Sequence, residues 1–151
     1  MNENILHPNH YVKCSVTIEP IVLTNNINSA IGQALQYVMR RKFKGNELDD
    51  LGKAFNEFCW YKTHNLMKYA KKYYGQLPII ACGAADEDDA EAVAKVFMNQ
   101  SRDPMLTFIL LRLLKPIDDN SEALFDEITD HIYDEMERLK EMNMPVSEKS
   151  L

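Results

Sequence analysis

Apolar residues recur along this chain at three- and four-residue intervals, the period of a helix with one buried face. Ile31, Leu35 and Val38 share such a face between Ser29 and Lys44, and Gly45 supplies the stop. Leu48, Leu51, Phe55, Phe58, Leu66 and Tyr69 carry the next run from Asn46 to about Tyr74. Asn46 is its cap, Gly75 and Pro78 end it, and Gly52 and Thr63 are its weak points. A run of about 29 residues is far longer than the usual dozen. Upstream, Thr17 is placed to cap a short helix with Ile18, Glu19 and Pro20 in its first turn. Asp86-Glu87-Asp88-Asp89 opens a third main helix to about Gln100, its acids at the positive end of the dipole. Asp103-Pro104 starts a short buried helix that Pro116 ends, and Asn120-Ser121 starts the last, to about Met142. Strand signals are scarce. The pattern predicts an all-α fold of about five main helices around one long central helix.

The length of 151 residues suits one domain, 1–151. Within it a helical core at 7–75 is followed by an acidic helical extension at 76–142 and a tail at 143–151. The apolar run Thr107-Phe108-Ile109-Leu110-Leu111 is too short to span a bilayer, and Met1-Asn2-Glu3-Asn4 has no leader character. A cytoplasmic protein is expected. Cys14, Cys59 and Cys82 stand far apart and are read as small buried hydrophobes.

Charge changes the picture more. The chain carries a formal net charge of -6, yet residues 28–74 hold nine Lys or Arg against four acids. Residues 86–142 hold sixteen acids against six bases. A basic segment in an anionic chain suits an anionic ligand, or attraction between subunits. Gln33, Tyr37, Arg40 and Lys44 fall at i, i+4, i+7 and i+11, on the helix face away from Ile31, Leu35 and Val38. Arg40 can grip phosphate oxygens bidentately and Lys44 adds a point charge. Tyr37 can stack on a base, and Gln33 can read its edge. The same spacing also suits a plain solvated face. His7, Pro8, Asn9, His10, Tyr11 and Lys13 form a ring-rich cluster, either a loop that closes over a ligand or an ordinary arm. No third or fourth metal ligand accompanies it, so no bound metal is expected.

Asp126, Asp130 and Asp134 line one face of the last helix. Carboxylates so arranged can hold Mg²⁺ for pyrophosphate chemistry. The core side of that helix is Leu124, Phe125, Ile128, Ile132, Met136 and Leu139, which turns the acids to solvent. Trp60 and Tyr61 fit packing or an interface. His64 and His131 have no visible partners. There is no G-x-x-x-x-G-K-[ST] and no G-x-G-x-x-G, which sets aside P-loop and Rossmann enzymes.

Four short blocks in order resemble the family of small, all-helical phage nucleotide kinases that lack a P-loop. They are His7-Pro8-Asn9-His10-Tyr11, Ile18-Glu19-Pro20-Ile21, the set Gly32, Tyr37, Arg40 and Lys44, and Asp49-Asp50-Leu51 with Lys53-Ala54. The similarity covers residues 7 to about 62. It implies a shared site at His10, Tyr11, Tyr37, Arg40, Lys44, Asp50 and Lys53, and phosphoryl transfer from ATP to a deoxynucleoside monophosphate. Lys13, Gln33, Gln36 and Arg41 complete the candidate set. Gln33 stands where the family has Asn, Gln36 where it has Lys, and Gly52 where it has Lys. Two of these changes remove cations that transfer would use. A sponge that sequesters host defence nucleotides, cyclic oligonucleotides or ADP-ribose derivatives, is therefore the alternative. A Mg-dependent helical pyrophosphatase on the acids of the last helix is the second. The expected partners are a nucleotide or phosphorylated small molecule and further copies of the chain in an even-numbered homo-oligomer. Membrane and nucleic acid are not expected, and the setting is the cytoplasm of an infected or lysogenic host.

Overall fold

The computed structural model describes residues 19–25, 27–43 and 45–144. Among them lie seven α-helices: α1 Pro20–Thr24, α2 Ser29–Arg40, α3 Glu47–His64, α4 Leu66–Tyr73, α5 Glu87–Gln100, α6 Pro104–Leu113 and α7 Ser121–Met142. A single 3₁₀ turn, Ile79–Ala81, sits between α4 and α5. The described residues contain no strand. One antiparallel bridge pairs Pro78 with Pro116. The all-α expectation agrees with this architecture, while the count of about five helices does not.

Beyond the five main helices stand the short α1 and one more element, which arises because the long central run is not continuous. It breaks at Asn65, where φ is -119°, although Asn65 N–H still bonds the Tyr61 carbonyl at 2.8 Å. Thr63, His64 and Asn65 are three weak helix formers in succession. The Asn65 side chain also accepts from Asn28 Nδ2 at 3.4 Å, tying the break to the start of α2. The weak point therefore lies just past Thr63, and Gly52 stays helical. α2 ends at Arg40 rather than Lys44. Its next residue, Arg41, turns inward to a buried partner, and Gly45 takes φ +78° to bring the chain round to α3. α1 starts at Pro20 behind Glu19, with no side-chain cap bond; Thr17 and Ile18 lie outside the described residues. Asn46, the expected cap, and Asp86 and Asp103, at the expected helix starts, each accept from a backbone N–H of their helix's first turn.

α2 and α3 form the most extensive pair, and α7 packs along α3. The buried residues of α3 are Asp50, Leu51, Ala54, Phe58 and Tyr61, a stripe at helical spacing. Its partner stripe on α7 is Phe125, Ile128, Thr129 and Ile132. Tyr61 and Phe125 stack at 5.0 Å, the centre of the contact. One cluster of buried side chains draws on both halves of the chain, from Leu23 to Ile132, so the acidic half supplies core as well as charge. The connector before α5 joins it. Ile79, Ile80, Ala81 and Cys82 are fully buried, and Gly75, Leu77 and Ile79 exchange backbone bonds with Lys115 and Ile117. Burial pushes the Cys82 thiol up to about 11, as expected of an inert buried cysteine.

The Tyr61 hydroxyl is buried with no hydrogen-bond partner among the described residues, and burial pushes its ionisation far above the usual phenol range. An unmatched buried hydroxyl costs about 1–3 kcal/mol. Tyr61→Phe keeps the stack on Phe125 and removes that cost. It is expected to raise stability by about 1 kcal/mol in urea denaturation.

Candidate anion-binding site

α2 and α3 run antiparallel across a short turn, and their outer faces meet in a ladder of side chains. Arg40 faces Asp50, with Nη2 donating to Oδ1 at 3.4 Å. One turn further, the Arg40 guanidinium lies 4.7 Å from the centroid of the Tyr37 ring, and Lys53 Nζ lies 5.6 Å from the same ring. One turn further again, Gln33 of α2 and Asn56, Glu57 and Trp60 of α3 line a cleft of about 340 Å³, with Ser29 and Ala30 at its end. The sequence produces this because Gln33, Tyr37 and Arg40 share one face of α2. Asp50, Lys53, Glu57 and Trp60 share one face of α3 at three- and four-residue steps.

The electrostatics are balanced rather than strongly cationic. Asp50 is 4% exposed, and among the described residues neither its Oδ2 nor the buried Arg40 Nε has a hydrogen-bond partner. A carboxylate held this way fixes Arg40 over Tyr37 with one bond, and no other hydrogen bond of the guanidinium falls among the described residues. Lys53 pairs with Asp49 at 3.0 Å, and that carboxylate holds the exposed ammonium above its usual value. A second cleft, about 470 Å³, opens on the α7 side of the Lys53–Asn56 ridge between Gly52 and Met136.

Four of the predicted residues, Tyr37, Arg40, Asp50 and Lys53, thus come together, with Gln33 one turn away. Two do not join them. Gln36 turns to α1, where Nε2 donates to Thr24 Oγ1 at 2.9 Å. Arg41 is 5% exposed and binds Asp103 through both terminal nitrogens, at 2.5 and 2.9 Å. A helix turns adjacent residues about 100° apart, so Arg40 and Arg41 cannot share a face. Arg41 is a structural cation joining the end of α2 to the cap of α6. His10, Tyr11, Lys13 and Lys44 lie outside the described residues.

Asp126, Asp130 and Asp134 of α7 are exposed, as the core pattern predicts. Asp126 is engaged by Lys62, which also approaches Glu122 at 3.8 Å. Among the described residues no three His, Cys, Asp or Glu side chains converge as metal ligands. His64 and His131 do have partners, Trp60 at 3.8 Å and Phe108 at 4.1 Å between ring centroids. Glu57 was not singled out from the sequence, and Trp60 was read as packing or an interface. Their spacing from Lys53, four and seven residues on, was the signal that put them on the same face.

Comparison of the chain with protein-family models, with curated proteins and with solved structures finds no match. No helix among the described residues is long and apolar enough to cross a membrane.

Proposed function

We propose that this protein binds a nucleotide on the outer face of the α2–α3 hairpin and holds it rather than transforming it. The observation that carries this reading is the pair of cations, Arg40 and Lys53, gathered around the Tyr37 ring with Arg40 tethered by a buried carboxylate. A planar guanidinium pre-positioned beside an aromatic ring suits a ligand that is part phosphate and part ring. Binding is favoured over phosphoryl transfer by the charge balance. Each cation of the cluster already faces an acid, Asp50 or Asp49, whereas transfer needs surplus positive charge on the migrating group. The resemblance to the phage nucleotide kinases supports the ligand class, and the replacement of family cations by Gln36 and Gly52 supports sequestration.

The reading includes a phage protein acting in the host cytoplasm, and self-association in even number. Complementary charge in the two halves and exposed apolar side chains such as Met67 and Ile21 support the latter. Native mass spectrometry of freshly purified protein tests both, since it reports subunit number and the mass of any retained nucleotide. Nucleotide recovered intact after incubation and heat denaturation supports sequestration. Formation of ADP and a deoxynucleoside diphosphate from ATP and the monophosphate would establish the kinase instead.

A further inference from the structure

We infer that the cleft between the start of α2 and the end of α3 is the base pocket of this site, with Trp60 as its stacking platform and Glu57 as the acceptor that selects the base. The inference rests on the nucleotide-binding reading and adds the orientation and class of the ligand. Trp60 is 57% exposed, unusual for the largest apolar side chain, while its neighbour Tyr61 is fully buried. Its ring already packs on His64 at 3.8 Å, which fixes its orientation without covering it. Trp60 lines the 340 Å³ cleft together with Gln33, Asn56 and Glu57.

The charges along the hairpin give the ligand a direction. The Arg40–Lys53 end carries the cations and suits phosphate. The Trp60 end carries no cation among its described lining residues and one carboxylate, Glu57, which repels phosphate and accepts hydrogen bonds. From Lys53 to Trp60 the helix rises about 10 Å, seven residues at about 1.5 Å each. That distance matches the reach from a purine ring to its second phosphate. A carboxylate offers acceptors only, so the base it prefers presents adjacent N–H donors, as the Watson–Crick edge of guanine does and that of adenine does not. Gln33 and Asn56 have amides that can serve the remaining edge in either sense. The ligand is thus a guanine nucleotide with at least two phosphates.

Trp60 is the chain's single tryptophan, so its fluorescence reports on this pocket alone. Titration of the full chain with GDP is expected to quench it, and ribose 5-phosphate at the same concentrations is not. In calorimetry, Trp60→Ala is expected to weaken GDP binding roughly five- to a hundredfold, the range that loss of base stacking produces. Trp60→Phe should restore most of it. Glu57→Gln should erase the preference for GDP over ADP while Trp60 remains quenched by both. GDP binding that leaves the fluorescence unchanged and is equally tight in Trp60→Ala would overturn the inference and leave the nucleotide-binding reading standing. Absence of heat with every nucleotide would overturn both.

Discussion

Asp103→Ala is expected to destabilise the fold by about 3–5 kcal/mol, the largest single effect predicted for this chain, because among the described residues it leaves a buried guanidinium only the Val38 carbonyl at 2.7 Å and the Glu47 carboxylate at 3.8 Å. Arg41 and Asp103 are 5% and 8% exposed, and both ends of the fork are bonded. The same carboxylate caps α6, accepting from Met105 N–H at 3.0 Å, so its loss also removes a helix cap worth about 1 kcal/mol. Arg41→Met with Asp103→Leu is expected to recover part of the loss, since the stranded charge goes while volume is kept. Urea denaturation of the three variants measures this. A cost below about 1 kcal/mol for Asp103→Ala would show that Arg41 finds water in its place.

The pair also sets an acid limit. Burial alone would raise the Asp103 carboxyl, but the bonds and charge of Arg41 outweigh it and hold the pKa below the ordinary carboxylate value. The unfolded chain therefore binds this proton more readily than the folded one. The pair's contribution is fully present above the unfolded value of about 4 and is lost as pH falls through the lower folded value. Wild-type stability should decline below about pH 4, and the doubly apolar variant should decline less.

Arg40→Ala is expected to weaken nucleotide binding roughly ten- to a hundredfold. That is the loss of one charge-assisted hydrogen bond, about 1.5–3 kcal/mol, converted through the binding constant. Arg40 carries the effect because its guanidinium is pre-positioned by Asp50 and by the Tyr37 ring, so little entropy is lost when it grips a phosphate. Lys53→Ala is expected to cost less. Its ammonium is exposed, screened by salt and already paired with Asp49. Isothermal titration at two salt concentrations separates the two, with the Lys53 contribution fading first.

Helix starts were legible because capping is local. Asn46, Asp86 and Asp103 each satisfy backbone donors within three residues, which sequence alone can show. The ends were less so, because tertiary contacts decide them. α2 stops at Arg40 because Arg41 reaches 62 residues along the chain to Asp103. The break at Asn65 depends partly on Asn28, a contact that periodicity cannot reveal. The same division runs through the site. Spacing within α2 placed Gln33, Tyr37 and Arg40 on one face. The register between α2 and α3, which sets Asp50 on Arg40 and Lys53 on Tyr37, is a packing result. Gln36 was assigned by its position in a motif, yet its helix angle takes it to Thr24.

We propose the α2–α3 face, and not the acidic face of α7, as the one that holds the nucleotide. Calorimetric titration of one nucleoside diphosphate into wild type, Arg40→Ala and Asp130→Ala distinguishes the two faces. A roughly ten- to hundredfold loss is expected in Arg40→Ala and wild-type affinity in Asp130→Ala, since Asp130 is exposed and is not among the described residues lining the clefts beside the hairpin. Unchanged affinity in Arg40→Ala together with loss in Asp130→Ala would contradict it and move the site to the carboxylates of α7.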